Sequence, residues 1–238
     1  MDNGYMLEVK DLYVGYYRDL NILQGVNIRA RYNKMTCILG ANGVGKSTFL
    51  KAVYGFLKPN RGQILLEGED VVGEPTHTLV NRGLSYIPQH TGIFAEMSVE
   101  ENLIMGGWTF RKDKQRVNRK VGENYERFPV LQDKRKQKAG ELSGGQRRMV
   151  EIARTLMTDP KLILVDEPTA GLAKLLSEEV YQMLVDLRDI EGLTIMLVDQ
   201  EIRQALKISD YVYVLELGRN KFDGPAEEFT DLEKALWT

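Results

Sequence analysis

The stretch Met35-Thr36-Cys37-Ile38-Leu39-Gly40-Ala41-Asn42-Gly43-Val44-Gly45-Lys46-Ser47-Thr48 decides the fold. Its first five residues form a short run that is apolar but for Thr36, the pattern of a strand buried on both faces. The remainder fits G-x-x-x-x-G-K-[ST]. Glycines at Gly40, Gly43 and Gly45 let the backbone turn tightly enough for successive N–H groups to face phosphate oxygens. A helical pattern follows from Lys46, with Phe49, Leu50 and Val53 on one side, until Gly55 and Pro59 stop it. The helix N-terminus adds its positive end to the anion site. In this arrangement Lys46 reaches the β- and γ-phosphates and the Ser47 hydroxyl ligates Mg²⁺. An ordinary glycine-rich turn would not need the strand before it and the helix after it.

Outward from this loop, strands and helices alternate. Leu7 and Val9, then Leu12 and Val14 after a break, carry period-two apolar alternation, as does Ile22 to Ala30, with Gly25 read as a turn. Gln63–Leu66, Leu84–Ile87, Leu162–Val165, Thr194–Val198 and Tyr211–Leu215 read as further strands. Met149, Ile152, Ala153 and Leu156 mark one apolar helix face closed by Pro160, and Lys174–Ile190 and Ile202–Leu206 read as helices. All-apolar strands alternating with helices predict an α/β fold with a mostly parallel sheet. The extended start predicts an added antiparallel β layer on the N-terminal side. The charged helical stretch from Ser98 to Lys138 interrupts the alternation and predicts an inserted helical subdomain.

Composition narrows the classes. The 238 residues hold 32 Lys plus Arg against 34 Asp plus Glu, a net charge of −2, with 43% hydrophobic and 28% charged residues. Wholesale disorder and a long basic nucleic-acid groove are disfavoured. The length suits one large domain or one and a half, and the chain is read as a single domain spanning residues 1–238. A single cysteine, Cys37, allows no internal disulfide and points to a reducing compartment. The start at Met1-Asp2-Asn3-Gly4 lacks a signal-peptide pattern, and runs such as Leu162–Val165 fall far short of the roughly 20 residues that span a bilayer. A cytoplasmic chain is expected, with any membrane role reached through a partner.

Several P-loop classes compete. Asn220-Lys221-Phe222-Asp223 matches the guanine-reading N-K-x-D, and Asp189 to Gly192 matches D-x-x-G. Gly192 falls near a helix end, where glycine is common, and Asn220 and Lys221 fall between two strands, where a polar turn suffices. A stronger pattern is Leu162-Ile163-Leu164-Val165-Asp166-Glu167, a buried strand that delivers Asp166 beside the Mg²⁺. Glu167, one residue on, can sit off the metal and take a proton from the attacking water. The deciding motif is Leu142-Ser143-Gly144-Gly145-Gln146. Alone, Ser-Gly-Gly at a helix start is an N-cap. Beside a complete P-loop it is a second phosphate-binding surface, which one nucleotide does not need unless it serves a neighbouring molecule.

On these residues the chain resembles, along essentially its whole length, the ATP-binding cassette family of transporter ATPases. The resemblance implies an α/β core with its β layer over residues 1–89 and 160–238, and a helical subdomain over 90–159 ending in the signature helix. It implies ATP with Mg²⁺ and a head-to-tail dimer sandwiching two ATPs, in which Ser143, Gly144, Gly145 and Gln146 act in trans and Ser143 and Gly145 contact the γ-phosphate. Gln89, in Tyr86-Ile87-Pro88-Gln89, matches the glutamine that contacts Mg²⁺ and water and relays movement to a permease. Mg²⁺ would thus be held by Ser47, Gln89 and Asp166. Tyr16 matches the aromatic that stacks on adenine, with Tyr13 and Tyr17 as nearby alternates.

Two positions depart from the family pattern. Val198-Asp199-Gln200-Glu201 puts Gln200 where a switch histidine usually stands; its amide can donate to a γ-phosphate oxygen but cannot charge. Ala170-Gly171-Leu172-Ala173 lacks the usual D-loop carboxylate. Both departures, with Met97-Ser98-Val99-Glu100-Glu101-Asn102-Leu103 and Gly224-Pro225-Ala226-Glu227-Glu228, are similar to one branch, the paired ATPase subunits of importers for branched-chain amino acids or related amides. That implies permease subunits, a second cassette in a homo- or heterodimer, a solute-binding receptor acting indirectly, and attachment to the inner membrane face. It implies no nucleic acid.

The near-neutral charge hides an asymmetry. Residues 111–138 hold 11 basic and 4 acidic residues, +7, leaving −9 for the rest. A solvated helix face is the plain expectation. Contact with an anionic leaflet is a second, and nucleic acid stacked on Tyr125 and Phe128 a third. The last belongs to the competing class, a non-transport cassette ATPase acting on ribosomes or nucleic acid.

Overall fold

Two kinds of strand pattern give two sheets. The computed structural model describes residues 4–17, 20–90 and 92–229. In chain order the elements are β1 (Tyr5–Val14), β2 (Leu23–Arg31), β3 (Met35–Leu39), α1 (Lys46–Val53), β4 (Arg61–Leu66), β5 (Glu69–Asp70), α2 (Thr76–Asn81) and β6 (Leu84–Ile87). The helices α3 (Val99–Gly106), α4 (Lys114–Arg127), α5 (Pro129–Asp133) and α6 (Gly144–Leu156) follow. Then come β7 (Leu162–Asp166), α7 (Lys174–Asp189), β8 (Thr194–Val198), α8 (Ile202–Ile208), β9 (Tyr211–Glu216) and β10 (Arg219–Pro225).

The alternating strands build an antiparallel sheet in the order β2-β1-β4-β5. In β2, Val26, Ile28 and Ala30 are buried while Asn27, Arg29 and Arg31 face outward, as a period of two requires. The largely apolar strands β9, β3, β8, β7 and β6 build the second sheet, with the polar β10 on its edge, in the order β10-β9-β3-β8-β7-β6. From β9 to β6 every pairing is parallel, and β10 returns antiparallel on β9. Every residue of β3, β7 and β8 is buried, because elements cover both faces. The antiparallel sheet and α1 share one apolar cluster, through Leu7, Ile28 and Phe49, with Ile38, Leu164 and Met196 of the central strands. The helices α3–α6 share the other, with Leu103, Leu131 and Val150 against Ile87, Val165 and Leu197. The parallel sheet is therefore sandwiched between the β layer and the helices, and its strands end together where the phosphate loop begins.

Three local expectations change. Gly25 is not a turn: it lies inside β2 with φ +78, where the pairing to β1 slips between Leu12–Val26 and Tyr13–Gln24, so it marks a bulge. The break between Val9 and Leu12 is likewise an irregularity inside one continuous strand, β1. Asn220 and Lys221 belong to β10, not to a turn; the turn lies at Leu217 and Gly218. The Asn220 side chain accepts from Asn27 N (2.8 Å) and donates to Asn27 O (2.9 Å), and Asp223 accepts from Tyr211 OH (2.6 Å). These groups tie strands together, which removes the guanine-reading alternative.

The basic segment is not simply a solvated face. Lys120 is buried between Glu123, at 2.6 Å, and Asp159. Arg127 pairs with Glu191 at 2.6 Å and Lys138 with Glu96 at 3.0 Å. Asp159, Glu191 and Glu96 all lie outside residues 111–138, so part of the +7 is neutralised by the acidic remainder. Tyr125 and Phe128 are buried in the helical core, which leaves neither ring free to stack on a base. Arg111, Lys112 and Lys114 remain exposed.

Candidate nucleotide-hydrolysis site

The phosphate loop joins β3 to α1 as the motif spacing predicts. Gly45 caps α1 at φ +106, and a Cβ there would lie 2.5 Å from the Leu23 side chain. A Cβ on Gly40 would lie 2.5 Å from the Leu215 carbonyl oxygen. Neither position admits a side chain, so the loop keeps its backbone close to the sheet. Ala41, Asn42 and Gly43 form its exposed crest, and Thr48 is buried in the first turn of α1. Lys46 is 4% exposed and folds over the loop, donating to the carbonyls of Gly40 (2.8 Å) and Ala41 (3.1 Å). Burial pulls its ammonium below the usual lysine range, opposed by Glu167, Asp166 and Asp199.

The end of β7 meets this loop. The Ser47 hydroxyl donates to Asp166 Oδ1 at 2.9 Å, and the Tyr86 hydroxyl donates to Asp166 Oδ2 at 3.0 Å. A hydroxyl and a carboxylate side by side are hard oxygen donors, a set that suits Mg²⁺ shared with phosphate oxygens. Tyr86 carried no motif signal; only the parallel pairing of β6 with β7 brings it to Asp166.

Glu167, one residue on, is buried and has φ +43. A non-glycine residue in the left-handed region costs about 1–3 kcal/mol and persists only when its surroundings hold it. Here its N–H donates to the Val198 carbonyl (2.8 Å) and its carbonyl accepts from Ala170 N (3.2 Å). The twist turns the carboxylate into the cleft. Oε1 lies 3.9 Å from Lys46 Nζ. Oε2 accepts from Gln89 Nε2 at 2.5 Å and from Gln200 Nε2. Lys46, Gln89, Glu167 and Gln200 thus converge from four separate segments. The Gln200 amide donates to the Glu167 carboxylate. A cavity of about 530 Å³ opens beside it between Gln89, Glu167, Leu172 and Gln200.

Ser143, Gly144, Gly145 and Gln146 open α6. Ser143 caps α6: its hydroxyl accepts from Gln146 N, and its own N–H donates to the Gln146 amide oxygen, both at 3.3 Å. Gly144 and Gly145 approach Leu172 and Leu176. Among the described residues, Ser143 and Gln146 share no hydrogen bond with Lys46, Gln89, Glu167 or Gln200. Tyr16 stands beside α1, 54% exposed, with the Lys51 ammonium 5.9 Å from its ring centre. Tyr13 is covered by the Arg61 guanidinium at 5.4 Å, and Tyr17 is 75% exposed.

A buried ion pair, unmarked in the sequence, connects α6 to the segment carrying Gln89. Arg148 and Glu151 lie 2.6 Å apart, their side chains 4% and 1% exposed. Arg148 donates to the carbonyls of Pro88 (3.0 Å) and Gln89 (2.9 Å), and Glu151 accepts from Gly92 N (2.7 Å). Burial pushes the Glu151 carboxyl up, and Arg148 pulls it back. The backbone on both sides of Gln89 is thereby pinned to the helix that starts at Ser143.

Comparison with known proteins agrees with this geometry. Residues 23–170 match the family model described as ABC transporter. The chain is 39% identical over 229 residues to a probable branched-chain amino acid transport ATP-binding protein, LivF, of Archaeoglobus fulgidus, covering 96% of each. It is 34% identical over 222 residues to the lipopolysaccharide export system ATP-binding protein LptB of Haemophilus influenzae, covering 92% of this chain and 90% of that one. A crystal structure of a nucleotide-free ATP-binding cassette from an ABC transporter superposes with TM-score 0.84 at 32% identity, covering 94% of this chain and 92% of that one. With residues 23–170 matching the family model and these relatives covered along most of their length, the chain belongs to the ABC transporter family, as an ATP-hydrolysing cassette.

Proposed function

We infer that this cassette powers uptake of a small solute, a branched-chain amino acid or related amide, through a separate transmembrane permease. The observation that carries the catalytic part is the meeting of Lys46, Gln89 and Gln200 on the Glu167 carboxylate. The phosphate loop, with Gly40, Asn42, Gly43, Gly45, Lys46, Ser47 and Thr48, would hold the ATP phosphates, and Tyr16 would lie against the adenine. Mg²⁺ would be held by Ser47, Asp166 and the Gln89 amide oxygen, which its bond to Glu167 leaves uninvolved; it would neutralise charge on the β- and γ-phosphates. Glu167 takes a proton from water as the water oxygen attacks the γ-phosphorus and the bond to the bridging oxygen of ADP breaks. Glutamine amides cannot themselves titrate, so Gln89 and Gln200 orient the base without competing for its proton. Lys46 offsets charge building on the transferred group.

The capped, outward N-terminus of α6 supports a second cassette docking head to tail, so that Ser143, Gly144, Gly145 and Gln146 complete the partner's site. Residues 90–159 would act as the helical subdomain on a core of 1–89 and 160–238. Its exposed Phe94, Ile104 and Trp108 offer apolar surface for a permease. No helix among the described residues is long and apolar enough to cross a membrane, so the span falls to the partner, with a solute receptor feeding it. The test is to recover the membrane proteins that co-purify with the full chain and reconstitute them together. ATP-dependent accumulation of leucine, isoleucine, valine or a small amide supports the reading; outward transport of a lipid-linked substrate contradicts it.

A further inference from the structure

The buried Asp199, immediately before Gln200, has a hydrogen-bond pattern the reaction described above does not use. Asp199 Oδ1 accepts from the backbone N–H of Gln200 (2.7 Å) and of Glu201 (3.0 Å). Its Oδ2 accepts from the Tyr181 hydroxyl on α7 at 2.9 Å. The Tyr181 oxygen lies 3.0 Å from Thr169 Oγ1. All three residues are at least nine-tenths buried. An ionised carboxylate only accepts, so Tyr181 donates to Asp199, and its oxygen is left to accept from Thr169. The chain of bonds therefore runs in one direction, from the loop after Glu167 to the turn that carries Gln200.

We propose that Thr169, Tyr181 and Asp199 form a buried relay that positions Gln200 on the Glu167 carboxylate and ties the Thr169–Ala173 loop to the Gln200 turn within one protomer. Three further observations support it. The same cavity is lined by Thr169, Tyr181, Asp199, Gln200 and Glu167, so the relay stands at the wall of the reacting space. The loop it holds ends at Ala173, with no carboxylate of its own to reach another group. The switch position is a glutamine, whose amide must be aimed by its backbone because it carries no charge to aim it. Tyr181 touches none of the reacting atoms; it is a positioning residue that works through Asp199.

The inference rests on the assignment of Glu167 and Gln200 to catalysis, and the test separates the two. Steady-state ATP hydrolysis is measured on the full chain at concentrations where turnover per chain no longer rises, for wild type, Tyr181→Phe, Gln200→Ala and the double variant. Tyr181→Phe removes one hydroxyl. The relay predicts a kcat about three- to tenfold lower, the range one net hydrogen bond supplies, with KM for ATP within about twofold. It also predicts no further loss from Tyr181→Phe when Gln200 is already alanine. Thr169→Val, which cuts the relay one step earlier, should give the same split, and stands in if Tyr181→Phe does not fold. Wild-type kcat in both relay variants while Gln200→Ala is slow overturns the relay alone, as do losses that multiply in the double variant. Wild-type turnover in Gln200→Ala overturns the relay together with the role of Gln200.

Discussion

Replacing Glu151 by alanine should be among the most damaging single substitutions in the chain, although the residue touches no substrate. Its carboxylate is 1% exposed and accepts from Arg148 at 2.6 Å and Gly92 N at 2.7 Å. Glu151→Ala would leave the Arg148 guanidinium buried without its counter-charge, which costs about 3–5 kcal/mol. For a chain of this size each kcal/mol moves the melting temperature about 2–4 °C, so a fall of about 6–20 °C is expected. Burial is the leading influence on Glu151 and raises its carboxyl, so the pair itself is not a large net source of stability. The double variant Arg148→Met, Glu151→Leu should therefore recover most of the melting temperature, since a well-packed apolar pair is often equal to a buried ion pair. It should not recover turnover, because the carbonyls of Pro88 and Gln89 lose the donors that fix the Gln89 segment. The assay is thermal unfolding by circular dichroism without nucleotide, paired with ATP turnover. A Glu151→Ala protein within about 1 kcal/mol of wild type, or a double variant as unstable as the single one, would refute the reasoning.

Two further predictions use the same cleft. Lys46→Ala should remove the cation that faces Glu167 and the phosphate loop, and ATP affinity measured by calorimetry should fall at least about tenfold, the effect of losing roughly 1.4 kcal/mol. Asp199→Asn tests burial of charge. Burial raises the Asp199 carboxyl above its ordinary range, opposed by the N–H groups of Glu201 and Gln200 and by Tyr181. A carboxyl raised on folding favours the folded state most at low pH, and that contribution is lost as pH rises through the folded-state value. The asparagine variant should match wild type in melting temperature below about pH 4 and gain on it toward neutral pH; an unchanged difference across that range counts against it.

The placement of the loop between β3 and α1 was legible because Gly40, Gly45 and Lys46 lie within nine residues, where spacing alone fixes geometry. The buried strands were legible because both faces of Met35–Leu39 and Leu162–Val165 are covered and hold apolar side chains at every position but Thr36. The misreadings were also physical. Gly25 carries the positive φ of a turn but spends it on a bulge, and no local signal separates the two. The charge excess over 111–138 gave no hint of its partners, because Glu96, Asp159 and Glu191 lie outside the segment. Tyr86, Tyr181 and the Arg148–Glu151 pair stayed hidden because their partners depend on packing: Tyr86 meets Asp166 across 80 positions, and Arg148 meets the Pro88 carbonyl across 60. Buried polar networks of this kind are closed by the tertiary fold, not by sequence spacing.

The central claim is that the Glu167 carboxylate accepts the proton of the attacking water. Glu167→Gln keeps the shape and an acceptor for Gln89 or Gln200 but removes the base. Phosphate release from ATP should fall by at least about 100-fold, while ATP binding measured on the same preparation persists and the protein is trapped as an ATP-bound dimer. Phosphate release at the wild-type rate would contradict the account.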